Sequence, residues 1–545
     1  MLHRGHAISA TASVRGHSRK LAQAGIRTLP YASDVTSGRR RRPYQPRSRL
    51  AVDVSAALDL VGTLTKYLAV APAAGAAVAV GYRESVWPFL ATAAAAFFLG
   101  LALEQLSGQK EQIGAREGYL VVGVTWLMAA SVGALPYLLS GEAQLSRPLD
   151  AYFEGMSGFT TTGATVLTDI EALPRSLLLW RQATQWLGGM GIIVLAIAVL
   201  PRLRVGGRQL LESELPGHEI ESLAARIRDT ARRLWILYVG LTVIEVLILL
   251  AFGLFGVDEL MTPFNAVAHG LTTLPTGGFS PENQGLAEFT AATQWLVIAF
   301  MVIAGTNFAL TFRALTQRRV QVVARDEEFR LYIAIILAVA TVLVAVLASE
   351  DALHGEAAVR HALFQTVSMM TTTGYASADF IGWPALATML LIGLMFFGGS
   401  GGSTSGSVKV ARHLLLGRVL RRDVDRTLHP EVVTHIRLNG RVADERVLRA
   451  VESFVLLYIG LFIAGAAIIA VDAAAGGGDI GLIDAIAASA TTLGNVGPGL
   501  GFAGPLGSFE PFGDVSTATM VILMWMGRLE LIPVLVLFSR HYWRS

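Results

Sequence analysis

The sequence predicts an all-α integral membrane protein: four pseudo-symmetric helix–pore-loop–helix repeats around one pore, plus two extra N-terminal transmembrane helices. Three observations lead there. Of 545 residues, 53% are hydrophobic and only 16% charged, against about 25% charged in a soluble globular domain, and the mean hydropathy is +0.53. Apolar runs of about 20 residues, each long enough to cross a bilayer, recur along the chain. Four of the connections between such runs repeat one Thr/Gly pattern. Cysteine is absent, which excludes disulfides and Cys-based metal sites and leaves the redox compartment open.

The first fifty residues are Arg-rich, with Asp34 the only acid and the run Arg39, Arg40, Arg41, Arg42. They lack the apolar core of a secretory signal, and 1–53 is read as a basic disordered cytoplasmic tail. Ten candidate spans follow: Leu58–Val80, Pro88–Leu106, Tyr119–Leu139, Leu177–Leu200, Leu234–Phe255, Thr293–Phe312, Leu331–Ala348, Leu386–Val410, Val451–Val471 and Val515–Phe538. Lys66, inside the first, is expected to snorkel to the cytoplasmic surface. An even number of spans puts both termini in the cytoplasm. The charges agree, because the predicted inner segments hold Arg202–Arg233, Arg313–Arg325, Arg412–Arg426, Arg540 and Arg544, whereas the outer ones hold little beyond Arg83, Arg147 and Arg175. Lys/Arg-rich loops stay inside.

Aligning four outer connections gives an internal repeat. The stretches are Phe153–Ala164, Ala268–Phe279, Phe364–Tyr375 and Ser489–Pro498. In each, a Ser or Thr (Ser157, Thr272, Ser368, Thr491) stands six positions before a Gly (Gly163, Gly278, Gly374, Gly497). A single TTTG would suit a plain turn, but four matches at the same place between spans set a unit of span, short helix, loop and span. The fourth is the loosest. The domains are then 54–110, the extra pair; 111–205, 206–325, 326–445 and 446–545, the four repeats.

Irregular backbone at membrane depth survives only where protein buries it or where it lines a water-filled cavity. Four such loops around one axis can present rings of carbonyls that replace a cation's hydration shell. Gly reaches φ > 0 without a Cβ penalty, Thr adds a hydroxyl, and a short helix aims its negative C-terminal end at the ion. The predicted filter is Thr161, Thr162, Gly163; Thr276, Gly277, Gly278; Thr372, Thr373, Gly374; and Asn495, Val496, Gly497, with backbone carbonyls as ligands. Glu154, Asp169, Glu171, Glu282, Asp379 and Glu510 cluster near the predicted outer mouth. They read either as a cation-concentrating rim or as an ordinary solvated one.

These loops, TTTGA, TGGFS, TTTGY and GNVGPGLG, each between two spans, resemble the Trk/Ktr/HKT superfamily of potassium transporters. The extra N-terminal pair makes the chain similar to the TrkH-type subunit rather than the shorter KtrB type, from about Leu58 onward. The resemblance implies one filter per chain, a homodimer with two separate pores, and potassium as the ion, since Gly rather than Ser stands at 163. It implies a TrkA-type cytoplasmic ring that binds nucleotides, while this chain has no nucleotide fingerprint and no cofactor of its own. Pro275 and Pro498 depart from the regular loops and leave the ligand atoms of the second and fourth loops less defined.

Two further features fit a pore. Eight of the nine residues Gly398, Gly399, Ser400, Gly401, Gly402, Ser403, Thr404, Ser405 and Gly406 are Gly or Ser, a composition that breaks a helix, inside the eighth span. The alternatives are a soluble flexible linker and, as the resemblance implies, an intramembrane gate under the filter. Arg528 stands in the last span, where an unpaired Arg costs about 2.5–3.5 kcal/mol. It is either salt-bridged to an acid elsewhere or, as the resemblance implies, set in the pore. Glu530, two residues on, faces away from it.

An ion-coupled symporter, with proton or sodium, and a less selective potassium/sodium transporter remain alternatives, although no buried Asp or Glu relay stands out. An enzyme is not expected, because no paired carboxylates and no His cluster fall in the spans; His269 stands alone. The long basic segments Arg202–Arg233 and Arg412–Arg449 suit a soluble partner or anionic lipid, and no nucleic-acid role is expected. The expected location is the bacterial inner membrane, multi-pass.

Overall fold

The computed structural model describes residues 52–107, 114–198, 218–432, 434–476 and 480–544. All but the end of the predicted tail 1–53 lies outside them, as do Arg202, Arg204 and Arg208.

The N-terminal pair consists of α1 (Val54–Leu68) and α2 (Val70–Tyr82), which make one 29-residue apolar segment, and α3 (Trp87–Leu106). Asp53 starts α1 by accepting the Ala56 N–H at 3.0 Å. Gly62 and Gly100 let α1 and α3 touch, since a Cβ on either would sit 2.6 Å from the other's carbonyl oxygen; small residues are what membrane helices use for such approach. Lys66 does not snorkel alone. Its ammonium bonds both oxygens of Glu104 at 2.7 Å, because α3 returns a carboxylate to the same level.

The remaining chain repeats span, short helix, loop and second span. Repeat 1 is α4 (Ala115–Ser140), α5 (Pro148–Phe159) and α6 (Arg175–Ala198). Repeat 2 is α7 (His218–Leu254), α8 (Pro263–Thr273), α9 (Ala291–Ala304) and α10 (Phe308–Gln317). Repeat 3 is α11 (Glu327–Ser349), α12 (Gly355–Met370), α13 (Ala385–Leu394) and α14 (Val410–Leu428). A hairpin, β1 (Arg437–Leu438) and β2 (Arg441–Val442), leads to repeat 4: α15 (Glu445–Gly476), α16 (Leu482–Gly494), α17 (Asp514–Arg528) and α18 (Ile532–Phe538). Pro148 and Pro263 open α5 and α8, where a missing N–H loses nothing.

Among the described residues six helices are long and apolar enough to span a membrane, and eight if two bent pairs each count once. This is a multi-pass membrane fold. The difference from the ten predicted spans is local. α6 has the length but buries Arg181, Gln182, Thr184 and Gln185. The predicted spans at 293–312 and 515–538 are broken, with α9 and α10 at 102° and α17 and α18 at 118°. The segment 386–410 is no continuous helix, since α13 ends at Leu394 and irregular backbone runs to Val410. One apolar cluster ties repeats 1 and 4 together and a second ties repeats 2 and 3.

Candidate ion filter and gate

Each short helix ends in the same backbone figure. Two residues before each key Gly, the chain turns left-handed: Thr161 at φ 52°, Thr276 at 56°, Thr372 at 57° and Asn495 at 52°. The Gly does so again: Gly163 at 83°, Gly278 at 76°, Gly374 at 78° and Gly497 at 105°. Positive φ in a β-branched residue is an outlier, and such strain, about 1–3 kcal/mol each, gathers at functional sites. The intervening residue is pinned identically four times. The N–H of Thr162, Gly277, Thr373 and Val496 donates at 2.9 Å to the carbonyl of Ser157, Thr272, Ser368 and Thr491. That is the physical content of the six-residue Ser/Thr–Gly spacing: the position supplies a carbonyl at the helix end, and its hydroxyl is secondary.

The loops close on one another. A Cβ built on Gly163 would collide with the carbonyl oxygen of Gly277; on Gly278, with that of Thr373; on Gly374, with that of Val496; and on Gly497, with that of Thr162. The circuit runs through repeats 1, 2, 3, 4 and back to 1, so one axis passes between all four. Side chains within the loops and on α6 fasten it. Asn495 Nδ2 donates to Thr162 Oγ1 and to the Met524 carbonyl, both at 2.9 Å. Gln185 of α6 brackets the second loop, donating to the Gly277 carbonyl at 2.6 Å and accepting the Phe279 N–H at 3.0 Å. The fold therefore supports the Pro275 loop from α6. At the level of the first left-handed residue the four groups differ: Thr161 Oγ1 and Asn495 Oδ1 are buried without a partner, Thr276 Oγ1 bonds the Pro275 carbonyl at 2.6 Å, and Thr372 Oγ1 accepts the Gly406 N–H at 2.6 Å.

The key glycines line the floor of a vestibule of about 400 Å³. Of the six predicted mouth acids only Glu282 lines it. Glu154 is not a rim acid at all: it is fully buried, 2.7 Å from Arg181 Nε, and accepts from Thr165 Oγ1 at 3.1 and 3.0 Å. Arg181 lies 4.1 Å from the Phe279 ring centroid and donates to the Ser280 carbonyl at 3.3 Å. This pair joins the first short helix to the second loop, which the sequence hides because the partner stands 27 positions away on another helix. Asp169 and Glu171 both bond Asn283, Asp379 caps the Ile381 N–H at 3.0 Å, and Glu510 is exposed.

On the side of the four loops away from the vestibule, the Gly/Ser segment Gly398–Gly406 is packed against them. Ser400 N–H donates to Gly305 O at 2.8 Å, Thr404 Oγ1 to Leu274 O at 2.9 Å, and Gly406 N–H to Thr372 Oγ1. Lys409 Nζ bonds the Ser405 carbonyl. The hydroxyls of Ser400, Ser403 and Ser405 are buried without partners. Arg528 reaches the same place: Nη1 donates to the Thr404 carbonyl at 2.8 Å and Nη2 to the Gly188 carbonyl at 3.4 Å. No ion pair of Arg528 occurs among the described residues. Glu530 is not on a helix with Arg528: α17 ends at Arg528, and Glu530 stands in the break before α18 at φ 60°, where it meets Arg412 at 2.5 Å.

One group escaped sequence reasoning. Glu245 of α7 is fully buried, with Thr273 at the end of α8 beside its carboxyl group and no cation paired with it among the described residues, although no buried acid stood out in the sequence. Its span has a mean hydropathy of 2.4, and one acid inside such a run was the available signal. His269 is a packing residue, with Nδ1 2.9 Å from the Asn265 carbonyl and Nε2 3.2 Å from Ser280 Oγ. No cluster of metal-ligating side chains occurs among the described residues.

Comparison with known proteins gives consistent results. Residues 88–545 match the family model TrkH, described as a cation transport protein. The chain is 38% identical over 458 residues to the Trk system potassium uptake protein TrkH of Escherichia coli K12, covering 82% of this chain and 91% of that one. It is 36% identical over 498 residues to the protein of that name from Vibrio parahaemolyticus, covering 90% and 99%. The crystal structure of the potassium transporter TrkH from Vibrio parahaemolyticus superposes with a TM-score of 0.80 at 33% identity, again over 90% of this chain and 99% of that one. The chain belongs to the TrkH family of cation transport proteins.

Proposed function

We propose that this protein takes up potassium across the bacterial inner membrane, through the filter formed by the four loops and past the gate formed by Gly398–Gly406. The observation behind this is the closed circuit of left-handed loop residues, in which each Gly abuts the next repeat's carbonyl. Such a circuit supplies uncharged oxygen ligands and excludes side chains, which suits a desolvated monovalent cation. Potassium as the ion follows the names of the relatives and the Gly at 163. The same names speak of a system with further members, which fits a homodimer in lipid docked on a nucleotide-binding TrkA-type regulator at its basic cytoplasmic segments. The decisive experiment is growth rescue of a bacterium lacking potassium uptake. Wild type restores growth at low potassium. Gly163→Ser, at φ 83° and against the Gly277 carbonyl, restores it less well and admits sodium. Failure of well-expressed wild type to rescue refutes the reading.

Glu245 favours a second reading, coupling to protons. An acid buried in a span with no cation paired to it is costly to ionise, so a proton on it is one that a working cycle can take up and release. Under this reading Glu245→Gln flattens the pH dependence of uptake while leaving the protein assembled. An unaltered pH profile excludes Glu245 as the coupling site.

A further inference from the structure

We propose that Glu328 is the positioning residue of the gate: its carboxylate holds the Gly/Ser loop beneath the filter and links it to the β1–β2 hairpin. The proposal rests on reading Gly398–Gly406 as the gate.

Glu328 lies in the first turn of α11, outside the loop and outside the filter. Its Oε1 accepts the Gly401 N–H at 2.5 Å and the Ala411 N–H at 3.1 Å. One oxygen thus ties the loop's tip to the first turn of α14, the helix into which the loop runs. A carboxylate at a helix N-terminus is favoured by the helix dipole, and hydrogen bonds to an ionised acceptor are the stronger kind. The tip has a second holder in repeat 2. Asn307, at the break between α9 and α10, donates to the Gly401 carbonyl at 2.6 Å, and the Phe308 N–H donates to the Gly402 carbonyl at 3.2 Å. Against these ties, the unpartnered hydroxyls of Ser400, Ser403 and Ser405 favour any alternative position in which they find partners.

The two residues before Glu328 face the hairpin. Asp326 Oδ2 accepts from Asn439 Nδ2 at 2.8 Å, and the Glu327 N–H donates to Asn439 Oδ1 at 2.9 Å. Glu327 pairs with Arg418 of α14 at 2.7 Å, and Arg418 also donates to the Arg437 carbonyl. Asn439 and Gly440 form the two-residue turn of the hairpin, both with positive φ, 49° and 76°, the geometry that fixes a tight hairpin. Three consecutive acids at one helix start therefore split their work: Asp326 and Glu327 hold the hairpin, and Glu328 holds the loop. A displacement of the hairpin reaches the loop through a single helical turn.

The chain has no cysteine, so Ser403→Cys is a sole reporter of loop exposure. In proteoliposomes, its rate of modification by a water-soluble thiol reagent is measured together with rubidium flux. Glu328→Ala is expected to raise both at least tenfold. Glu328→Gln, which keeps an acceptor oxygen, raises both less. Asn439→Ala, which touches only the hairpin side, raises the modification rate a few-fold. If Glu328→Ala does not assemble, the isosteric Gln variant decides. Wild-type modification and flux in an assembled Glu328 variant overturn the proposal, as does raised flux with unchanged modification, which would place its effect elsewhere. Deleting Gly401–Ser405 separates the two readings. A deletion that leaves flux unchanged refutes the gate itself; one that raises flux while Glu328 variants stay at wild type refutes only the role of Glu328.

Discussion

Replacing Gly374 with alanine is expected to lower potassium flux at least tenfold, and discrimination against sodium with it. Two effects add at this position. Gly374 sits at φ 78°, where an L side chain costs about 1–2 kcal/mol. The new methyl group would also run into the Val496 carbonyl oxygen and the Pro498 ring of the neighbouring loop, and forcing a methyl into packed structure costs about 1–3 kcal/mol. The loop relieves this by shifting the Val496 carbonyl, and the third and fourth repeats lose their mutual register. Tenfold corresponds to only about 1.4 kcal/mol at the barrier, so part of this strain suffices. The measurement is rubidium flux into proteoliposomes with sodium as competitor. Alanine at Gly393, which has open space around it, serves as the control and is expected to behave as wild type. Equal flux and selectivity in the two variants would contradict the assignment of Gly374 to the filter.

That contrast marks what the sequence made legible. Register was readable because it is local: a Ser or Thr carbonyl at the helix end receives the N–H five residues later, and a Gly follows. The left-handed turns at Thr161, Thr276 and Thr372 were not readable, because a Thr has no preference for that region and only the meeting of four loops holds it there. The Gly/Ser break of the eighth span was readable from composition, but the breaks between α9 and α10 and between α17 and α18 were hidden for a related reason. Hydropathy sums composition, and Ala291–Gln317 passes the test although the chain turns by 102° at Gly305. That glycine leaves room for Tyr332 and Thr371, both distant in sequence. The misplacement of Glu154 has the same origin. An acid next to an outer loop looks like rim until its arginine, on α6, is found beside it. Lys66 found Glu104 in the same way. Pairings between helices set these environments, and no single stretch of sequence contains both halves.

Replacing Arg528 with alanine is expected to raise basal potassium flux several-fold. The sequence left two readings open, a salt bridge or a free cation at the pore, and the geometry gives the side chain carbonyl partners: Thr404 of the Gly/Ser loop and Gly188 of α6. Neither neutralises the guanidinium, and its Nε has no partner. The side chain ties the Gly/Ser loop to repeat 1; under the proposed function its charge would also oppose a cation arriving below the four loops. At ~7 Å and an effective dielectric of ~20 that opposition is about 2.4 kcal/mol, a factor of more than ten in occupancy. Lysine distinguishes the two. Arg528→Lys retains the charge but not the planar fork that reaches two carbonyls at once, so it should loosen the loop while preserving the electrostatic barrier. Flux through the Lys variant is expected between wild type and Ala, measured with rubidium at matched protein in liposomes. If Ala lowers the yield of folded protein and leaves flux per molecule unchanged, Arg528 is a packing residue and the pore role is wrong. If Lys equals Ala, the hydrogen bonds to Thr404 and Gly188 dominate; if Lys equals wild type, the charge does.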